Sequence, residues 1–194
     1  MLNTHYEDKY AQQAILRLDI GGMPREWISF ESAAYYYAKG LVGWTHGEPF
    51  KVLHGGTGRS GNPTVMDLHP VIAVKGKTPP KRMGPPPLNN PTLFRRDEHL
   101  CMYCGQAYPK SMLTRDHVIP ASRGGEDKWS NVTTACKSCN SVKGARTPEE
   151  AGMPLLAVPY TPNPFEYLYL LRNRHIQADQ MEFLRGGFRH ERLF

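Results

Sequence analysis

The chain of 194 residues contains no apolar run that approaches the ~20 residues needed to cross a bilayer. Its first eight residues lack the basic region and the apolar stretch of a secretion signal. Both absences argue against a membrane protein or an exported one, so we expect a cytoplasmic protein with no membrane partner. Cysteine is also scarce, with four residues in total, and in the cytoplasm cysteines bind metal more often than they form disulfides.

Positive charge is in excess, and the excess is local. The chain has 24 Lys and Arg against 18 Asp and Glu, and residues 76–150 alone carry 12 basic and 7 acidic side chains. A localised basic surface attracts polyanions, of which nucleic acid is the most common in the cytoplasm. A solvated basic surface without a partner is the alternative.

The flanking regions have a recognisable organisation. Residues 1–75 predict a small mixed α/β region, with a half-buried strand at 15–20, a helix at 29–39 and short strands at 51–53 and 70–74. Within it, residues 56–61 fit GxGxxG, but Asn-Pro follows where a nucleotide-binding helix should begin, so we interpret them as a flexible turn.

The proline-rich, basic residues 76–92 predict an extended linker. Residues 154–194 predict a C-terminal helical segment, in which a helix begins at Asn163-Pro164 and runs to about Leu184. We interpret that helix as a packing or dimerisation element.

Two CxxC pairs are the strongest chemical signal. Four thiolates at these positions can reach one tetrahedral ion, and zinc is its usual occupant; the pairs are Cys101 with Cys104 and Cys136 with Cys139. An iron–sulfur site and two redox dithiols are the alternatives. His99 could replace a ligand, although a surface histidine is the simpler interpretation.

The residues between the two pairs predict a hairpin followed by a helix. A strand at Leu113–Pro120 leads through a Gly-rich loop to a second strand at Val132–Ala135. A short helix after Cys139 would place Asn140 and Lys143 on one face.

This segment resembles the HNH endonuclease family over about residues 93–153. The residues that carry the likeness are Asp116-His117, Asn131, Asn140, Arg123-Gly124-Gly125, the tract 147–153 and the flanking cysteines. The third family position is Asn140 rather than His, which makes this an HNN variant.

The resemblance implies a ββα-metal finger that hydrolyses phosphodiester bonds. In it, Asp116 and Asn140 hold one Mg²⁺ or Mn²⁺ ion, which binds a phosphate oxygen and the 3′ leaving oxygen. His117 is the general base that activates water, and Asn131 fixes the loop and orients His117. Because Asp116 and His117 are adjacent in a strand, they should point to opposite faces unless the strand ends there.

We therefore predict an α+β fold in which residues 93–153 form a zinc-stapled ββα-metal finger and the enzyme cuts DNA. Arg115, Arg123 and Lys143 are the candidate phosphate contacts. RNA or branched DNA as substrate stays open, as does a homodimer. The alternative function is a non-catalytic zinc-containing module that binds nucleic acid.

Overall fold

The computed structural model describes residues 14–57, 63–76, 85–172 and 175–190. The chain forms two compact units, one of residues 1–83 with 164–188 and the other of residues 84–163 with 189–194. Both helices and strands are present in an α+β arrangement, as predicted. Among the described residues, no helix combines the length and the apolar character needed to cross a membrane.

A four-stranded mixed sheet organises the first unit. Its strands are β1 (Ile15–Asp19), β2 (Pro24–Ile28), β3 (Val42–His46) and β6 (Val71–Val74), in the order β2-β1-β6-β3. β1 is antiparallel to β2 and parallel to β6, and β3 is antiparallel to β6. A separate antiparallel hairpin is formed by β4 (Lys51–Thr57) and β5 (Pro63–Leu68).

Apolar side chains cover this sheet on both faces. Ile15 and Ile72 pack with residues of α1 (Phe30–Ala38), and Leu16 and Leu18 pack on the other side with residues of α5 (Pro164–Arg172) and α6 (Ala178–Arg185). The predicted alternation of β1 is confirmed, because Leu16 and Leu18 are buried beneath the C-terminal helices whereas Arg17 and Asp19 are only partly buried.

Several predicted boundaries of this unit are confirmed and one is wrong. The helix at 29–39 is α1, whose N-cap Ser29 accepts from the Ser32 N–H, and the start at Pro164 is that of α5. The C-terminal helix is two helices rather than one, because Gln177 begins α6 with a capping box. Within the predicted GxGxxG turn, residues 56–57 belong to β4 and residues 58–61 lie outside the described part of the chain.

The described residues of the second unit form a hairpin and three α-helices. Its elements are α2 (Asn90–Arg96), β7 (Leu113–His117), β8 (Val132–Cys136), α3 (Lys137–Lys143) and α4 (Pro148–Ala151), with three short 3₁₀ turns at 110–112, 121–123 and 129–131. The predicted ββα order is confirmed as β7, β8 and α3. The end of the predicted linker is corrected, because Asn89 caps α2 and Pro91 lies in its first turn, where proline is tolerated. Prolines 79 and 80 of that linker lie outside the described residues.

A buried ion pair stabilises the base of the hairpin. The Arg96 guanidinium donates to the Asp97 carboxylate at 2.9 Å, to the Trp129 carbonyl at 2.9 Å and to the Val132 carbonyl at 2.8 Å. Asp97 in turn accepts from the Thr134 N–H at 2.8 Å. Because both charged side chains are almost fully buried, these hydrogen bonds are needed to offset their desolvation.

Candidate active site and metal centre

The four cysteines converge on one point of the second unit. Two come from the turn before β7 and two from the junction of β8 and α3, and their Sγ atoms all lie within 4.8 Å of one another. Cys136 is the N-cap of α3, and its Sγ accepts from the Cys139 N–H at 3.4 Å. All four are free of disulfide bonds, so they are positioned to bind a metal ion.

The donor set fits zinc. Four thiols brought this close form a complete tetrahedral Cys₄ set, which leaves no open coordination position for catalysis. Burial and the neighbouring cysteines raise the pKa of the Cys139 thiol, because packed thiols resist becoming thiolates without a cation. A bound divalent ion reverses that preference. His99 is not a member of this cluster.

The two strands place the predicted catalytic pair beside α3. β7 and β8 are antiparallel, with Asp116 opposite Thr133 and His117 opposite Val132. Asp116 is buried and its carboxylate contacts the α3 residue Lys143, whereas the His117 ring contacts Asp127 in the loop between the strands. The two neighbouring side chains thus have different surroundings, as the alternation of a strand requires.

Two donors hold the Asp116 carboxylate. The Tyr103 hydroxyl donates to Oδ2, and the Lys143 ammonium donates to Oδ1 at 3.1 Å. Lys143 Nζ also donates to the His117 carbonyl at 2.8 Å. Burial, and then the Asp116 carboxylate, raise the pKa of Tyr103, so its hydroxyl stays protonated and donates.

The burial of Lys143 contradicts the surface role predicted for it. The side chain is 0% exposed and its ammonium is occupied within the protein. A phosphate contact from an exposed Lys143 is therefore corrected to an internal ion pair with Asp116. Sequence periodicity predicted that Lys143 and Asn140 share one helical face. It could not show which part of that face packs against the hairpin.

His117 belongs to a chain of polar contacts along the outer side of β7. Its Nε2 lies 3.2 Å from Oδ1 of Asp127, and the other Asp127 oxygen accepts from Arg115 at 2.5 Å. Arg115 also donates to Oδ1 of Asn90 at 2.9 Å. The hydrogen bond from Arg115 lowers the pKa of Asp127, which keeps that carboxyl ionised beside the imidazole.

Asn131 ties together the loop that follows β7. Its Oδ1 accepts from the Ile119 N–H at 2.9 Å, and its Nδ2 donates to the Ile119 and Glu126 carbonyls at 3.1 and 3.0 Å. Close approach in this loop requires glycine at 125, where a Cβ would lie 1.7 Å from the Ile119 carbonyl oxygen. Asn131 thus acts on the loop backbone, and none of these bonds reaches the His117 ring.

Asn140 and Asp116 line one groove of about 330 Å³. Asn140 Nδ2 donates to Thr114 Oγ1 at 2.9 Å, so a ligand role for this amide would fall to its oxygen, Oδ1. The groove is lined by residues 115–117, 120–122, 140 and 143–145. A carboxylate oxygen and an amide oxygen in one groove are the donor types that Mg²⁺ and Mn²⁺ prefer, with water and substrate completing the shell.

The remaining candidate, Arg123, is not among the residues that line the groove. Its guanidinium donates to both carboxylate oxygens of Glu150 at 2.7 Å, and both side chains are 47% exposed. The hydrogen bond from Arg123 lowers the pKa of Glu150. Arg123 is thus available at the surface, but a phosphate would have to compete with Glu150.

Sequence reasoning missed two residues of the site, Tyr103 and Asp127. Tyr103 lies inside the first CxxC turn, where the cysteines account for the motif and nothing in the local pattern indicates a role for the tyrosine. Asp127 lies in a polar loop and has no local pattern that distinguishes it from a solvated acid. Each residue is identified only by its contact with a β7 residue, Tyr103 with Asp116 and Asp127 with His117, and these contacts form only when the chain folds.

The family model described as HNH endonuclease matches residues 101–156, from the first cysteine to beyond α4. Comparison with the curated proteins finds no match. The matched residues include both cysteine pairs and the whole hairpin and helix described above.

Proposed function

We propose that this chain, whose residues 101–156 match the family model described as HNH endonuclease, is a metal-dependent nuclease that hydrolyses DNA phosphodiester bonds. The observation that carries the proposal is the groove beside α3. It collects a candidate general base, His117, and two oxygen ligands, Asp116 and Asn140, within a ββα element held by a Cys₄ metal centre.

His117 is the general base in this proposal. Its Nε2–H donates to Asp127, which leaves Nδ1 as the acceptor of a proton from the attacking water. The ionised Asp127 also stabilises the imidazolium that forms. Asn131 supports this step indirectly, because it fixes the backbone of the loop that carries Asp127.

Asp116 and Asn140 provide the ligands of the catalytic ion. A bound Mg²⁺ or Mn²⁺ supplies Lewis-acid stabilisation of charge on the phosphate and on the 3′ leaving oxygen. Thr114 orients the Asn140 amide, and Tyr103 and Lys143 hold the Asp116 carboxylate. Hydrolysis in this geometry leaves 5′-phosphate and 3′-hydroxyl ends, as the family resemblance implies.

A supercoiled plasmid tests the proposal. The zinc-loaded protein should convert it to nicked or linear DNA when Mg²⁺ or Mn²⁺ is added, and not when these ions are withheld. The ends should be sealed by DNA ligase without prior treatment. A parallel panel of RNA and branched DNA separates substrate preference from chemistry.

The same assay separates the nuclease from a non-catalytic zinc module. A module that only binds nucleic acid would bind DNA in a salt-dependent manner but would not nick it, whichever divalent ion is added. That result, or cleavage that is independent of added Mg²⁺ and Mn²⁺, would contradict the proposed function.

A further inference from the structure

Tyr103 contacts both the metal centre and the groove. Its ring packs against the cluster formed by Cys101, Ala135 and Cys136. Its hydroxyl extends from that cluster and donates to Oδ2 of Asp116. A single side chain thus joins the Cys₄ centre to a residue of the candidate active site.

The backbone around Tyr103 is fixed by the first CxxC turn. The Cys101 N–H donates to the Gln106 carbonyl at 2.9 Å, and the Met102 N–H donates to the Thr134 carbonyl of β8, also at 2.9 Å. The Met102 carbonyl accepts from the Leu156 N–H at 2.9 Å. The position of the Tyr103 ring is therefore set by the metal-binding turn and by β8 together.

Asp116 needs such a partner. Rotation about the terminal bond of an aspartate has a broad energy profile, so packing alone holds the carboxylate plane poorly. Here Lys143 binds Oδ1 and Tyr103 binds Oδ2, while the carboxylate is 5% exposed. Each oxygen carries two lone pairs, so both donors can stay while a lone pair remains for a cation.

We infer that Tyr103 is a positioning residue that orients Asp116 for the divalent ion, so that the Cys₄ turn supports the reaction as well as the fold. The inference rests on the proposed function, which assigns Asp116 as a ligand. Partners that orient a metal ligand contribute about 10- to 100-fold to metal affinity. Removal of the hydroxyl should reduce ion binding by that factor and leave the chemical step intact once the ion is bound.

Tyr103→Phe tests this, with Tyr108→Phe as the matched control. Tyr108 packs against the same cluster, but its hydroxyl lies 4.0 Å from Cys104 Sγ. Two readouts are made on zinc-loaded protein. The first is Mn²⁺ binding without DNA, measured from the electron paramagnetic resonance signal of the free ion. The second is the Mg²⁺ dependence of plasmid nicking. In Tyr103→Phe, the Mn²⁺ dissociation constant and the half-activating Mg²⁺ concentration should both rise about 10- to 100-fold.

The nicking rate of Tyr103→Phe should recover at saturating Mg²⁺, and Tyr108→Phe should match the wild type in both readouts. Unchanged Mn²⁺ affinity in Tyr103→Phe would overturn the inference, as would loss of zinc from that variant, because the hydroxyl would then act in the Cys₄ centre instead of on Asp116.

Failure of the inference can be distinguished from failure of the proposed function. If the wild type nicks DNA and Tyr103→Phe has the same Mg²⁺ dependence, the inference alone is wrong. If Mn²⁺ binding depends on Tyr103 but no DNA is cut under any condition, the inference stands and the nuclease assignment is wrong. A wild type that binds no Mn²⁺ contradicts both.

Discussion

Removal of the Lys143 ammonium should destabilise the second unit strongly. Lys143 is fully buried and Asp116 nearly so, and the ammonium binds the Asp116 carboxylate and the His117 carbonyl at 3.1 and 2.8 Å. Lys143→Met keeps most of the aliphatic volume but leaves a buried carboxylate with one donor, Tyr103. Loss of one partner of a buried pair costs about 3–5 kcal/mol, so we expect the unfolding equilibrium to shift by a hundredfold or more.

Urea unfolding of the zinc-loaded protein, without Mg²⁺, measures this loss. Fluorine NMR of protein labelled with fluorotryptophan separates the units, since Trp129 is buried in the second unit and Trp27 and Trp44 lie in the first. The signal of Trp129 should disappear at a lower urea concentration in the variant, while the other two signals should keep their midpoints.

Lys137→Met is the matched control, because Lys137 begins the same helix and is exposed. Surface substitutions of this kind usually change stability by no more than about 0.5 kcal/mol. The double variant Lys143→Met with Asp116→Asn removes both charges and should recover most of the loss. A loss below about 1 kcal/mol for Lys143→Met, or no recovery in the double variant, would refute the role of the ion pair.

Three further predictions concern the metal, the loop and the surface. Chelation of zinc, or Cys101→Ser, should unfold the second unit, because the ~10–16 kcal/mol of structural zinc binding is also folding free energy. Circular dichroism with a zinc-release assay would detect this unfolding, and a second unit that stays folded without metal would contradict the prediction. Arg115 lowers the pKa of Asp127 below its usual 3.8, so this pair stabilises the folded state above that value and the contribution is lost as pH falls through the folded pKa. Asp127→Asn should therefore cost up to about 1 kcal/mol in urea unfolding at pH 7 and low ionic strength and less at high ionic strength, because this pair is partly exposed and is screened by salt; an equal cost at both would be inconsistent with the pair. Arg123→Gln should reduce the slope of log affinity for DNA against log salt by about one, and an unchanged slope would contradict a phosphate contact from Arg123.

Local pattern was sufficient for the elements that carry the site. Alternation and turn residues predicted β7 and β8, and the spacing of four cysteines predicted one cluster, because each signal lies within a few residues of sequence. The helix after Cys139 was also predictable, and with it the shared face of Asn140 and Lys143.

The remaining features depend on packing between distant segments. Lys143 is buried because α3 packs on the hairpin 26 residues upstream, where the His117 carbonyl accepts a hydrogen bond from its ammonium. The hydrogen bond from Tyr103 to Asp116 and the contact from Asp127 to His117 are likewise set by the fold of the second unit. In the first unit, one face of the sheet is covered by α5 and α6, and the bond from Trp27 Nε1 to the Leu168 carbonyl joins residues 141 positions apart.

The most direct test of the account is the rate of plasmid nicking by His117→Ala at saturating Mg²⁺. His175→Ala serves as control, because His175 is exposed and belongs to the other unit. General-base catalysis contributes about 10²- to 10⁴-fold, so His117→Ala should be slower by that factor with zinc content and folding unchanged, and His175→Ala should match the wild type. A folded, zinc-loaded His117→Ala protein that nicks DNA at the wild-type rate would contradict the account.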